Sequence, residues 1–422
     1  MTTNDRLDRV IPSWLHEDAD FRVPDHLDEV LQVTRVTRQR PAWSSLERWL
    51  PVDTTFRPRL FTVPRPGRLL LVAALIVLVL AIAILAVGSR ERLPEPFGPA
   101  RNGIFVTSRD GDIYTLEPTT TETVVLVGGD EFDFGPIFAR DGTRVAFLRS
   151  DGPIAAPAIL TMMVANTDGS NLRAVTPPTE SLDWFDWSPD STRVAYMASG
   201  ILYVVDVAFG EPRRLEGTGR VHFPTWLPPD GEEIVYREEG GSPAIFAIRA
   251  DGTGKRPLST TPANNRFDYQ GPTVSPDGSS ISFTRYTSTG EPRGFLLDVR
   301  TGKERRVPVP DGTRAETGGL FAPDGKNLAF VRYYRNATWQ LILAPIDGSA
   351  DGIPIGPRLP GTPQSGNAGV SGTAFTPDGT ALVVRYGDDT AAETHLLPLD
   401  GSAGRIIDAG EFQFVDMQRL AP

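Results

Sequence analysis

Val274-Ser-Pro-Asp-Gly278, followed by Ser279-Ser-Ile-Ser-Phe283, is one complete copy of a phrase that this chain repeats. Proline presets φ at the first corner of a turn, Asp bonds its own backbone two residues on, and Gly takes the left-handed position that other residues resist. The phrase is therefore a tight hairpin joining two strands. Its other copies run from Phe138-Ala-Arg-Asp-Gly to Phe147, Trp187-Ser-Pro-Asp to Tyr196, Leu227-Pro-Pro-Asp-Gly to Tyr236, Phe321-Ala-Pro-Asp-Gly to Phe330, and Phe375-Thr-Pro-Asp-Gly to Val384. In every copy the closing apolar residue stands six positions after the Asp. The Asp anchors at 141, 190, 230, 277, 324 and 378 are 49, 40, 47, 47 and 54 residues apart, the period of a four-stranded propeller blade rather than of a helical solenoid. A catalytic Asp would have to work identically in six places, so the carboxylate is read as a turn-former.

Between the anchors lies a second repeat, an extended apolar run, a polar turn and a return strand. It occurs at Ile113 to Leu116, Ile159 to Val164, Ile201 to Val207, Ile245 to Ile248, Phe295 to Val299, Leu341 to Leu343 and His395 to Leu397. Seven such hairpins stand against six anchors. The missing anchor is split between the ends of the domain: Phe412-Gln-Phe-Val-Asp-Met-Gln-Arg-Leu-Ala-Pro stops where an Asp-Gly should follow, and Arg101-Asn-Gly-Ile-Phe-Val starts just past that point. The expectation is an all-β, seven-bladed propeller over residues 101–422, closed by its C-terminal strand, with six blades as the alternative. Closure removes the long unpaired sheet edge that an open array would expose.

The phrase resembles the Trp/Phe-Ser-Pro-Asp-Gly repeat of TolB-type β-propellers over residues 101–422. The resemblance implies a propeller and either of two roles known for such domains, a protein-binding platform in the bacterial envelope or a module joined to a hydrolase. The chain departs from TolB in lacking the small α/β domain before the propeller and in having seven hairpins against six blades, so TolB's own partners are not carried over.

From Leu69 to Val87 the chain uses only Leu, Val, Ile and Ala for nineteen residues, which cover about 29 Å as a helix, close to the hydrocarbon thickness of a bilayer. A transmembrane helix is expected over 68–88. Residues 35–68 hold eight Arg against Glu47 and Asp53, and this bias puts the N-terminus in the cytoplasm and the propeller outside. The reading is a single-pass cell-membrane protein with a cytoplasmic leader over 1–67 and a Pro-rich spacer over 89–100. In the leader, Leu7, Val10, Ile11, Trp14 and Leu15 fall at helical spacing, and a second short helix starts at Pro24. The layout is similar to that of membrane-bound anti-sigma factors, although His16 and His26 have no Cys beside them. That resemblance implies a second possible role, a regulator whose leader binds a cytoplasmic transcription factor.

The chain carries a net charge of −11. Residues 1–68 hold 11 basic and 10 acidic residues, leaving 31 basic and 43 acidic for the rest, a balance that argues against nucleic acid as a ligand. There is no Cys, so disulfides, thiol nucleophiles and cysteine metal sites are excluded. Neither a Gly-x-Ser-x-Gly elbow, a phosphate-binding Gly-Lys-Ser/Thr loop nor a His-Glu-x-x-His occurs. No cofactor, metal site or enzymatic activity is expected, a propeller hydrolase or lyase being the third reading. Of the two propeller histidines, His222 precedes an anchor and His395 is taken to open an inner strand.

Binding is the better-supported function class. In a propeller, the connections into each innermost strand and those between second and third strands gather around the channel on one face, where ligands meet the ring. Those connections carry Asp183 and Trp184, Arg220 and His222, Arg266 and Tyr269, Arg314 and Glu316, Arg332 and Trp339. Tyr, Trp and Arg dominate interface energetics. A protein, peptide or glycan ligand is expected at that face.

Overall fold

The turn around Asp277 shows how the repeat works in three dimensions. Asp277 Oδ1 accepts the Ser275 hydroxyl at 2.6 Å and the Ser279 amide at 3.0 Å, while the Ser280 amide donates to Ser275 Oγ at 2.9 Å. The same lattice forms at Ser188, Asp190 and Thr192, and at Thr376, Asp378 and Thr380. Partial burial would raise these carboxyls, but the hydrogen bonds outweigh it and hold Asp190, Asp277 and Asp378 below the ordinary aspartate range. Gly278 sits at φ 70°, and a Cβ there would collide with the carbonyl oxygen of Pro228 in the turn of the preceding blade. Successive turns therefore touch, forming a ring of turns on one face.

The computed structural model describes residues 74–77, 93–120, 122–152, 159–239, 245–259, 270–361, 370–387, 392–408 and 415–421. Among them are seven antiparallel sheets, six of four strands and one of five, so the fold is an all-β propeller of seven blades rather than six. Blades 2 to 7 start at Phe132–Phe138, Leu182–Trp187, Val221–Trp226, Gln270–Val274, Thr313–Phe321 and Val370–Phe375, each the first strand of its own sheet. Blade 1 is built from both ends of the domain. Val415–Leu420 pairs antiparallel with Arg101–Arg109, with Arg101 opposite Leu420 and Thr107 opposite Val415, and Asp112–Leu116 and Thr123–Val127 complete the sheet.

The core lies between blades rather than within any one sheet. The six residues that close the turn phrase, Phe147, Tyr196, Tyr236, Phe283, Phe330 and Val384, are each at most 2% exposed. Seven apolar clusters fill the seven junctions between neighbours: Val106 and Ile113 of blade 1 meet Phe147 of blade 2, and Phe105, Leu116 and Met417 of blade 1 meet Val383 and Ile407 of blade 7. Cross-strand aromatic stacks thicken three blades, Tyr196 on Tyr203, Tyr236 on Phe246 and Phe283 on Phe295, with centroids 5.2 to 6.0 Å apart.

Polar latches then join first strands across the junctions. Asp186 of blade 3 accepts Arg140 of blade 2 at 2.6 Å, and the Thr225 hydroxyl and Trp226 amide of blade 4 at 2.9 and 3.1 Å. Asp416, one residue before Met417 as Asp186 is one before Trp187, accepts the Phe138 amide of blade 2 at 2.9 Å. The C-terminal strand thus carries the same latch as an ordinary first strand.

Residues 74–77 form a helical turn, and no helix among the described residues is long and apolar enough to cross a membrane. The leader over 1–67 and the rest of the expected span over 68–88 lie outside the described residues, as do 89–92 of the spacer.

Deleting residues 415–422 removes Met417 from its junction, breaks the Asp416 latch and bares the edge of Arg101–Arg109. Loss of about 3 kcal/mol or more is expected, read as a lower melting temperature with aggregation in light scattering. A truncated chain that melts together with the intact one would show that this strand does not hold the ring.

Candidate functional site

The first strands of the blades line a central channel, and their two ends differ. The turn ring follows the ends of these strands, whereas their beginnings surround the opposite mouth. At that mouth lies a cavity of roughly 410 Å3, within the range of small-ligand and peptide-anchor sites. Its apolar wall is Phe134, Pro136, Ile137, Leu148, Phe185, Val383 and Val415, and its polar groups are Asp183, Thr373, Arg385, Thr394 and Asp416. The Thr394 hydroxyl is buried there without a hydrogen-bond partner. Burial raises the Asp416 carboxyl although the Phe138 and Met417 amides donate to it.

Three first strands bend at this level by one device. Register shifts against the second strand occur between Phe134 and Ile137, His222 and Thr225, and Gln270 and Thr273, where the sequence reads Gly135-Pro136, Phe223-Pro224 and Gly271-Pro272. The residue before each proline has a positive φ: 64°, 52° and 28°. Blades 2 and 5 meet that demand with glycine. Blade 4 places phenylalanine there, at a conformational cost on the order of 1–2 kcal/mol.

What Phe223 touches gives that strain a context. Its ring meets Trp184 edge-on, centroids 5.3 Å apart at 82°, and Trp184 is 47% exposed. Beside them Glu239 Oε2 lies 3.3 Å from His222 Nε2 and 3.4 Å from Arg220 Nε. The hydrogen bond with His222, helped by the charge of Arg220, holds the Glu239 carboxyl below its usual range. The result is an aromatic pair, Trp184 exposed and Phe223 half-buried, flanked by a polar cluster of both signs, the combination found at interface anchors.

Of the residues singled out in the sequence, Asp183, Trp184, Arg220 and His222 come together here on blades 3 and 4. Arg314 lies apart on blade 6, its Nε bonded to Glu291 Oε1 at 3.0 Å. Three others are not on the face. Glu316 is fully buried, bonded to Arg306 at 3.1 Å, its carboxyl raised by burial. Arg332 is 4% exposed, lies over the Phe330 ring and donates to the carbonyls of Pro308 and Asp351. Trp339 is 1% exposed in the junction between blades 6 and 7, its Nε1 donating to Pro360 O at 3.2 Å. All three side chains turn into the protein, so they support the face instead of presenting it. His395 opens no inner strand; it lies in Ala392–Pro398, the third strand of blade 7, against Tyr386 and Glu393. Arg266 and Tyr269 lie outside the described residues. Among the described residues no three His, Cys, Asp or Glu side chains group as a metal site would need.

Comparison with known proteins agrees with the architecture. Residues 141–351 match the model of the PD40 family, the TolB beta propeller domain. A protein described as a TolB homolog, from Chlorobium luteolum, is 31% identical over 122 residues, and the match spans 28% of this chain and 27% of that relative. Among solved structures, an oligogalacturonate lyase from Vibrio parahaemolyticus aligns with a TM-score of 0.53 at 13% identity, covering 74% of this chain and 92% of the lyase. A prolyl endopeptidase aligns at 0.52 and 13% identity, covering 77% of this chain and 50% of the peptidase. At such identities the likeness is one of fold.

Burial separates the two tryptophans experimentally. Trp339→Ala is expected to cost about 3–5 kcal/mol, and Trp184→Ala about 1 kcal/mol or less, measured by denaturant unfolding. Equal losses would place Trp184 in the core. Phe223→Gly is expected to hold stability or raise it by up to about 1 kcal/mol, the reverse of what losing a packed aromatic ring normally does. A loss of ~2 kcal/mol instead would mean that this ring holds the fold together.

Proposed function

From the premise that this chain belongs to the TolB β-propeller domain family, we propose that it is a non-enzymatic binding module whose working face is the channel mouth opposite the turn ring. The observation that carries this reading is the Trp184 and Phe223 pair, half exposed at the rim of the cavity and kept with Phe223 in a left-handed conformation. A strained aromatic that two sister blades replace with glycine has a cost to stability that a ligand contact would offset. The ligand is a protein, peptide or glycan: a flat indole face serves an extended backbone or a sugar ring, and Arg220, His222 and Glu239 supply donors and an acceptor beside it.

The nineteen-residue apolar run over 69–87 supports a single membrane span, and the Arg-rich stretch before it supports a cytoplasmic N-terminus. We place the propeller in the bacterial envelope, tethered by its spacer. A signalling role for the leader over 1–67 remains the second reading.

Two measurements test the proposal on the full chain. A C-terminal reporter active only outside the cytoplasm should be active in cells, and one active only inside should be silent; the opposite pattern overturns the topology. Crosslinking in intact cells should trap an envelope partner, and the Trp184→Ala, Phe223→Gly double variant should lose at least about tenfold in yield, since removing interface anchors costs roughly 2 kcal/mol or more. An unchanged yield from a normally folded variant would move the site elsewhere, and turnover of a polysaccharide or peptide substrate by the purified protein would overturn the non-enzymatic reading.

A further inference from the structure

The other mouth of the channel is already occupied. On the turn-ring side a cavity of roughly 330 Å3 is lined by the ends of the first strands, with Trp226, Val274 and Phe321 among its walls; it shares Ile137, Trp184 and Phe185 with the first cavity, and Pro96-Phe97-Gly98 forms part of its wall. The Arg140 guanidinium lies over the Phe97 ring, 5.3 Å from its centroid. Arg419 Nη2 donates to the carbonyls of Glu95 at 3.0 Å and Gly98 at 2.6 Å, and the Ala100 amide donates to Pro377 O at 2.8 Å. Pro94 is buried. These contacts tie three backbone positions, Glu95, Gly98 and Ala100, and one aromatic ring to blades 1, 2 and 7.

The electrostatics point the same way. Arg140 and Arg419 converge at this mouth, and burial together with the charge of Arg140 pushes Arg419 down to about 10. Two cations held that close need acceptors. Asp186 serves Arg140, and the spacer's own carbonyls serve Arg419, so an extended backbone is the chemical complement of this end of the channel.

We infer that the turn-ring mouth is a peptide-binding site for an extended proline-aromatic-glycine segment, and that the chain fills it with its own residues 94–98. The prolines keep that segment extended before it binds, which lowers the entropy lost on docking. Trp184 and Phe185 border this cavity as well as the one proposed as the binding site, so the docked segment closes off one side of that site. Only this last step rests on the proposed binding role.

The absence of cysteine from the chain allows a direct test that involves no ligand of the opposite mouth, so it stands or falls separately from the binding proposal. In the detergent-solubilised full chain, Thr273→Cys reports the turn-ring cavity and Thr373→Cys the opposite one. With the spacer intact, maleimide should label the cysteine at 273 slowly. Adding Phe97→Ala should speed that labelling by about tenfold, the effect of removing a partly desolvated cation–π contact and its half-buried ring, and leave the cysteine at 373 unchanged. Arg419→Met should act in the same direction. A synthetic peptide of residues 93–100 added in trans should slow labelling again in the Phe97→Ala protein, and its Phe-to-Ala counterpart should not. Labelling at 273 that is indifferent to Phe97 and Arg419, or rates that rise equally at both cysteines, would overturn the inference.

Discussion

Burial of apolar surface between neighbouring blades is the interaction on which everything else here depends. No single four-stranded sheet has a core of its own; each presents one apolar face to the blade before it and another to the blade after. Such an arrangement leaves two raw faces unless it closes, and closure is what the junction of Phe105, Leu116 and Met417 with Val383 and Ile407 provides. The hydrogen-bonded turns, the aromatic stacks and the carboxylate latches of Asp186 and Asp416 refine a ring that apolar burial makes necessary.

Closure also divides labour between the two ends of the channel. On the turn side the backbone is crowded: glycines with positive φ lie against carbonyls of adjacent turns, and serine, threonine and aspartate side chains are consumed in bonding their own loops. What remains there for recognition is Arg140 and Arg419, and they hold a segment of the same chain. At the opposite end the strands begin with residues free of turn duty, and there Trp184 and Arg220 are exposed beside the half-buried Phe223, His222 and Glu239. The acidic turn residues are numerous, yet each already has its partners, so their charge describes the scaffold and not a site.

The architecture was legible because turn chemistry is local. A Pro-Asp-Gly phrase at a regular period announces its hairpins whatever surrounds it, and the split anchor at the two ends of the domain announced the closing strand. The candidate face was legible only in part. Asp183, Trp184, Arg220 and His222 sit at strand beginnings, where sequence position fixes location. Glu316, Arg332 and Trp339 sit on strands whose bulges shift the register, at Thr313/Ala315, Glu316/Gly319 and Trp339/Leu341 in blade 6, so alternation counted from the turn does not say which way a side chain faces. Phe223 had a signal that was readable only with blades aligned: it precedes a proline where two other blades have glycine. Asp186 and Asp416 had one as well, each standing just before a large buried residue of its strand, Trp187 and Met417. Phe97 had none, since a lone aromatic in a proline-rich spacer looks the same whether it is solvated or docked.

The pairing of Arg101 with Leu420 has a consequence in time. Blades 2 to 7 are each made from one continuous stretch of chain, so each can form as soon as its own residues are available. Blade 1 cannot, because its innermost strand comes after all the other strands of the ring in sequence. Its first three strands must wait, with an open edge, for a partner more than three hundred residues away in sequence, the slowest kind of contact for a chain to find. Until then a growing propeller is an open arc with sticky ends, and a shielding factor or a fast final step is worth most in that interval. The finished ring is therefore a record that its closing strand, Val415–Leu420, has been made and docked.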